Sequence, residues 1–467
     1  MDSAVNGTTP RVVIRPSAPA SFVSWFVLGL AIGMLMVVNS QLSSDQAQLL
    51  NLGWQLAHNH VWVPHGMITS AGGFSPGGFS GLLVALPLYL WNDYRAPALF
   101  TLILHAGAFV LLVRALKPAL SDFGRYLLLV LVWLSPWHLY FAAHVWDANY
   151  MYVFAVLHLI TAQRMAQRRE IRTTAAHVLL LGLSVQVHTS GAVLCILSVL
   201  LFASGRLKVS WQGFALGVAA CVASLAPWLW AVHQDASLLP GGKGFLLRGL
   251  AYGFPLFRGV LYWVKLSSLS FVARMYDLDF TAALGPTAGP VFGTLAQGLA
   301  TVATATLLVT LWLQWRFFRH APRRFLAQVC APYRPRSWLR FYVIAMCAAA
   351  LISFALSPTT IMFWQVFVAL PASALAVVMS AEALARSRLR LPTHRVAGAW
   401  AAMSAALVLS QAIASPMYRC GGYTLTPSTP MLVGLRARDK CLRAAAPAQT
   451  PASHATTALT PTRGPKA

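Results

Sequence analysis

Eleven stretches of this chain run for fifteen or more residues without a single Asp, Glu, Lys or Arg, and they are rich in Leu, Val, Ala and Phe. They lie at about 22–40, 97–113, 126–142, 149–163, 173–187, 190–204, 211–232, 289–315, 341–357, 361–380 and 396–414. A helix of roughly 20 apolar residues crosses the hydrocarbon core of a bilayer, so eleven runs of this kind predict an all-α polytopic membrane protein with about eleven transmembrane helices. Composition agrees. Only 10% of the 467 residues are charged and 58% are hydrophobic, whereas a soluble domain carries about 25% charged residues. That balance excludes a water-soluble enzyme, a disordered chain, a coiled coil and a disulfide-stapled secreted scaffold.

The formal net charge of +24 invites a nucleic-acid reading. The basic residues form no basic domain, however; they sit in short clusters between apolar runs, which is the positive-inside pattern. With the N-terminus in the cytoplasm, 22 of the 35 Lys and Arg fall in cytoplasmic segments, including the seven arginines from Arg316 to Arg340. Twelve of the other 13 lie in just two places, segment 233–288 and the C-terminal tail. The alternation predicts N-in, C-out and an odd number of spans. No nucleic acid is implied. The basic segment 316–340 sets topology and contacts anionic lipid.

Residues 79–91, FSGLLVALPLYLW, are too short to span and contain Pro87. They read as an interfacial helix. The predicted organisation is a cytoplasmic N-terminus (1–21), a transmembrane domain (22–414) with long outer loops 41–96 and 233–288 carrying interfacial helices, and an outer tail (415–467), partly disordered. The first apolar run is too long for a cleaved signal core and reads as an uncleaved anchor. Cys195, Cys221 and Cys347 fall inside spans. Cys420 and Cys441 share the outer tail, where an oxidising compartment would join them in a disulfide.

Acidic residues are scarce, so their positions carry information. Seven of the eleven lie on the outer side: Asp45, Asp93, Asp147, Asp235, Asp277, Asp279 and Asp439. Asp45 and Asp147 stand at the mouths of spans, where a partly desolvated carboxylate can serve as a general base. The same two residues also suit helix N-caps, and the local sequence leaves both readings open. Asp277-Leu278-Asp279 is a D-x-D pattern able to hold a divalent metal with a sugar phosphate, or a chance pair in a loop. The histidines 58, 60, 65, 144 and 188 have no zinc spacing. Trp54, Trp62, Trp146 and Trp263 either stack on sugars or anchor the interface.

Segment 43–66, SSDQAQLLNLGWQLAHNHVWVPHG, resembles the first outer loop of the GT-C glycosyltransferases, polytopic enzymes that use polyprenyl-phosphate sugars, such as protein O-mannosyltransferases and lipid A aminoarabinose transferases. Asp45 matches the family Asp; Gln46 stands where a Glu often follows. Ser75-Pro76-Gly77-Gly78 occupies the place of a Pro-rich turn ahead of the apolar run. Leu134-Ser135-Pro136, then His144 and Asp147, resembles a span ending in Pro followed by a basic residue and an Asp, with His144 replacing Arg. Val187-His188-Thr189-Ser190 sits at a helix break, and Trp364 to Ala372 with Pro371 resembles a late span. As an architectural pattern the likeness covers about residues 20–380.

The resemblance implies a GT-C-like fold and an inverting transfer of a sugar from a polyprenyl-phosphate donor to an acceptor hydroxyl on the outer face of a bacterial inner membrane. Asp45 would be the base. Gln46, His65, His144, Asp147 and His188 would contact substrate. The leaving phosphate needs cations or backbone N–H groups, which Lys243 in Gly-Gly-Lys-Gly and Arg248 would supply; headgroup contact explains the same residues. Arg258, Lys265 and Arg274 favour headgroup contact. Two other functions compete: a lipid-sugar transporter or flippase, which would need ionisable groups at mid-membrane, and a polysaccharide polymerase or ligase using the same donors.

Overall fold

The structure, a computed structural model, describes residues 19–38, 42, 44–69, 73–239, 253–270, 278–357, 360–387 and 393–414. Lys243, Arg248, Arg274, Asp277, Cys420 and Cys441 lie outside the described residues, so the phosphate loop, half of the D-x-D pattern, the disulfide and the whole 415–467 tail are expectations only. The described cysteines, Cys195, Cys221, Cys330 and Cys347, are free thiols.

The chain opens with α1 (Pro19–Val38), α2 (Ser44–Asn59), a short antiparallel pair β1 (His65–Ile68) and β2 (Phe74–Pro76), α3 (Phe79–Leu90) and α4 (Arg95–Leu116). Next come α5 (Asp122–Leu128), continued by a π-turn (Leu129–Trp133), α6 (Pro136–Ala142), a 3₁₀ turn (Asp147–Tyr150), α7 (Met151–Gln167), α8 (Ile171–Val187), α9 (Gly191–Ala203) and α10 (Trp211–Gln234). The second half holds α11 (Phe254–Leu266), the long α12 (Phe280–Phe318), α13 (Ala321–Leu326), α14 (Pro335–Leu356), the one-turn α15 (Phe363–Val366), α16 (Leu370–Ala385) and α17 (Thr393–Ala414).

Among the described residues each of the eleven apolar runs is largely helical. Six helical stretches among the described residues are long and apolar enough to cross a bilayer: Arg95–Leu116, Trp211–Gln234, Phe280–Arg323, Pro335–Leu356, Phe363–Ala385 and Arg395–Ala414. The others are shorter or broken, and the breaks have local causes. The run at 126–142 is not one helix. Pro136 has no N–H to continue the ladder and pushes the residue before it out of helical geometry; Ser135 is accordingly extended. α8 ends at His188, which is extended, and α9 restarts after two residues.

α10 and α12 leave Trp211, Trp230, Leu295, Val302 and Leu308 exposed, as helices facing lipid must. α6, α7, α14 and α16 form the interior; Trp133, Trp137, Tyr152, Tyr342, Phe141 and Phe367 are fully buried there. Small residues let neighbours approach closely. A Cβ on Gly213 or Gly217 of α10 would strike α8, at Thr174 Cβ 2.9 Å and Val178 Cβ 2.6 Å away.

The run at 79–91 folds as expected into a short separate helix. α3 packs along α2, with Gly53 facing Val84 and Gly81 facing Leu52, and Leu86, Tyr89 and Leu90 stay exposed. Gly77 turns the chain from β2 into α3 at φ +79°, where a Cβ would also run into Gln186. At the opposite, arginine-rich end the buried Glu382 of α16 gathers three elements. Its Oε1 accepts from the N–H (2.7 Å) and hydroxyl (2.5 Å) of Ser121 ahead of α5. Its Oε2 pairs with Arg336 of α14 at 2.7 Å and, more loosely, with Arg386 at 3.5 Å.

Candidate active site

At the end of the bundle where α2, the β-hairpin, the 3₁₀ turn and the α8–α9 break converge lies a cavity of about 720 Å³. Asp45, Asp147 and His188, from three segments far apart in sequence, all line it. Asp45 sits in the first turn of α2 and is exposed. Helix geometry puts Gln48, three residues on, on the same face, and Gln48 shares the cavity wall. Gln46, one residue on, points about 100° away and is only 8% exposed; it does not line the cavity.

Asp147 opens the 3₁₀ turn in the short segment between α6 and α7, outside the spanning helices. It is 6% exposed and its Oδ1 accepts the N–H of Ala148 at 2.7 Å. Burial pushes its pKa from an ordinary 3.8 up to about 7; the Ala148 N–H opposes the rise and the Asp45 charge adds to it. The fold therefore holds this proton more tightly than the unfolded chain does. Between pH 3.8 and about 7 the unfolded chain ionises while the folded one stays neutral, so stability falls as pH rises across that window and is flat above it. Asp147→Asn, which keeps the Ala148 contact without the charge, is expected to be more stable than the parent at pH 8 by on the order of a few kcal/mol, with the gain vanishing near pH 4. Thermal unfolding in detergent at the two pH values checks this; an equal gain at both would refute the buried-acid account.

His188 follows α8, and its Nδ1 accepts from the Ser190 N–H at 3.1 Å and lies 2.8 Å from the Ser190 hydroxyl. An accepting Nδ1 leaves the proton on Nε2. Burial lowers the His188 pKa to about 4, so at neutral pH the ring is an uncharged donor. Trp146 and Trp364, 5.0 Å between ring centroids, form one wall. Met67, Ile68, Ser75 and Pro76 bring the hairpin to another, and Phe354, Ser357 and Ile361 complete the rim from α14 and the segment after it.

Two sequence candidates stand apart. His65 packs against Phe74 at 4.0 Å between ring centroids, with Nδ1 2.9 Å from its neighbour's carbonyl Gly66 O, and lies outside the cavity lining. His144 is buried, its ring against Tyr140 and Nδ1 2.6 Å from the Tyr140 carbonyl. Asp279 caps α12 by accepting the Ala282 N–H at 2.9 Å. Among the described residues no group of three or more His, Cys, Asp or Glu side chains could hold a metal ion. Among the lining residues not named as candidates, Gln48 falls inside segment 43–66, and Thr189, Ser190 and Gln365 fall inside the helix-break and late-span segments, while Ser357 stands in no motif; only the helical offset from Asp45 could have pointed to Gln48.

No protein-family model and no curated protein matches the chain. Solved structures do. ArnT from Cupriavidus metallidurans in the apo state aligns with a TM-score of 0.51 at 11% identity, covering 85% of this chain and 78% of that one. ArnT from the same organism bound to undecaprenyl phosphate aligns at 0.48 and 10%, with the same coverage. Arabinosyltransferase EmbB from Mycobacterium smegmatis aligns at 0.37 and 13%, covering 87% of this chain and 42% of that one. The all-α, polytopic fold expected from the sequence is thus the fold observed, and it is the fold of apo ArnT.

Proposed function

We propose that this chain is an inverting glycosyltransferase that moves a sugar from a polyprenyl-phosphate donor to an acceptor hydroxyl on the outer face of a bacterial inner membrane. The observation that carries the reading is the meeting of Asp45 and Asp147 in one cavity at a broken-helix end of the bundle. Asp45, the more open of the two, takes the hydroxyl proton as the acceptor oxygen attacks the anomeric carbon, opposite the departing lipid phosphate. Asp147, poised near neutrality, and the His188 Nε2–H hold sugar or acceptor hydroxyls. Trp146 and Trp364 offer faces for the sugar ring.

The departing phosphate needs cations. Arg258 and Lys265 of α11 flank Tyr262: the guanidinium donates to the Tyr262 hydroxyl at 3.2 Å and the ammonium lies 5.9 Å from the ring centroid. Neither has a carboxylate partner among the described residues. Burial and the nearby Arg258 charge lower the Lys265 pKa, a cost that an anion between the two would relieve. α11 packs on α14 and α15, the elements that bring Phe354 and Trp364 to the cavity. Lys243 and Arg248 would add to this grip. Arg258→Ala and Lys265→Ala are each expected to raise the donor KM roughly tenfold with a smaller effect on kcat, read in steady-state kinetics. An unchanged KM in both removes the phosphate assignment.

The test of the function is direct. The purified chain in liposomes, given polyprenyl-phosphate-linked sugars and candidate acceptors, is expected to release free polyprenyl phosphate with stoichiometric glycosylation. Donor crossing the bilayer uncleaved would instead identify a flippase. Impermeant maleimide applied to a cysteine placed at position 45 reports the side of the membrane.

A further inference from the structure

Among the described residues, His105, His138, His158 and His177 lie buried within the helices away from the cavity, and the pair His105–His138 connects to it. His105 of α4 and His138 of α6 are both fully buried. His105 Nε2 is 2.9 Å from the carbonyl oxygen of Asn149, and His105 Nδ1 is 3.1 Å from His138 Nε2. A carbonyl only accepts, so His105 Nε2 carries the proton and Nδ1 accepts from His138 Nε2–H. The series ends at His138, whose Nδ1 is buried beside the Trp133 backbone and makes no hydrogen bond of normal geometry. Tyr152, Trp133 and Phe367 enclose the two rings. Apolar side chains would fill this space at lower desolvation cost, so the pair calls for an explanation beyond packing.

Its single outward contact supplies one. Asn149 belongs to the 3₁₀ turn Asp147–Tyr150, and one such turn has little internal bonding to hold it. Outside contacts do the holding. Asn149 O accepts a hydrogen bond from His105 Nε2–H; Asn149 Nδ2 donates to the His144 carbonyl at 2.5 Å. Tyr150 Oη lies 3.4 Å from Thr101 Oγ1, one α4 turn before His105 and on the same face. Without His105 the Asn149 carbonyl would lose this side-chain donor among apolar side chains, and the turn would be freer to shift toward water or another donor.

We infer that His105, oriented by His138, is a positioning residue that holds the Asp147 carboxyl in register with Asp45 by fixing the backbone of the turn. The inference rests on the reading of the cavity as a transfer site, but its geometry can be tested apart from transfer. The ionisable groups around Asp147 are Asp45 from α2, His188 at the end of α8, His105 from α4, His144 after α6, Tyr150 in its own turn and Tyr152 of α7; α15 contributes none.

The experiment compares the full chain in liposomes with His105→Leu, His105→Gln and His138→Leu. The first readout is the protonated-carboxyl infrared band of Asp147, assigned by subtraction of Asp147→Asn and titrated. The parent midpoint is expected at about 7. In His105→Leu it drops by roughly one unit or more as the turn opens to water; in His105→Gln, whose amide N–H can replace Nε2–H, it stays. The second readout is transfer: kcat falls roughly 10- to 100-fold in His105→Leu with the donor KM within about twofold, and Gln restores most of it. A folded His105→Leu with parental midpoint and kcat overturns the inference. If that variant does not fold, His138→Leu decides, since it removes the donor that sets the His105 tautomer: a lowered midpoint supports the role and an unshifted one overturns it. Absence of transfer by the parent would count against the proposed function, while the infrared midpoints would still decide the role of His105.

Discussion

Asp45→Asn is expected to lower sugar transfer by roughly 10²- to 10⁴-fold, the span typical of a lost general base, with little change in donor KM or thermal stability. The side chain is exposed in the first turn of α2, so no packing is disturbed, and asparagine differs by one proton-accepting oxygen. A negative charge near a helix N-terminus adds only a few tenths of a kcal/mol to 1 kcal/mol of stability, so folding and catalysis separate cleanly here. Matched kcat and KM measurements with a thermal-unfolding control decide the matter. A variant that keeps full kcat would show that the proton leaves by another route, and Asp147, with its pKa near 7, would be the next candidate. The double variant Asp45→Asn, Asp147→Asn separates shared from single roles: a loss no larger than that of either single change would mean that the two carboxyls work as one unit.

Glu382→Ala should cost about 3–5 kcal/mol of stability, as breaking a buried ion pair from one side does, at an end of the bundle remote from the cavity. Only 2% of this side chain is exposed, against 27% for Arg336 and 57% for Arg386. Removing the carboxylate leaves the half-buried Arg336 without its counter-charge. It also leaves the Ser121 N–H without its acceptor, although Ser121 Oγ can still cap α5 through the Gly124 N–H at 3.2 Å. Glu382→Gln retains an oxygen for Ser121 and loses only the charge, so a smaller loss is expected. Thermal unfolding in detergent tests both variants. An unfolding midpoint equal to that of the parent in Glu382→Ala would mean that α5, α14 and α16 are held together by apolar packing alone.

Membrane residence, the helical character of the apolar runs and the break at His188 are legible from residue order, because each depends on local chemistry, whereas the break inside 126–142 is not, since that run reads as one span. An uncharged apolar run can be satisfied in lipid only if its backbone bonds to itself. The short run at 79–91 could not span, and it folds beside α2. The pairing of Asp45 with Asp147 was marked in advance by scarcity: in a chain with 11 acidic residues, two at span mouths stood out. The companions chosen for them fared unevenly. His188 lines the cavity because its helix break opens there, whereas Gln46, named because it stands where the resembled family often has a Glu, lies on a different face of α2 from Asp45. Gln48 has the right angular offset instead.

What no reading of residue order could reach is which buried polar groups answer one another. Glu382, Ser121 and Arg336 lie in three separate segments, and their meeting is a result of how α5, α14 and α16 pack. His105 and His138 look in sequence like two isolated histidines in apolar runs; only the crossing of α4 and α6 puts one ring nitrogen against the other and the free end against the Asn149 carbonyl. Asp147 carries an ordinary carboxyl until the bundle closes around it and removes its water, and that loss of solvent, more than any neighbouring charge, raises its pKa. Residue order set what must be in lipid and where the chain must bend, because those are properties of single segments. Solvent exclusion and hydrogen-bond partnership exist only between segments, so they waited for the tertiary structure.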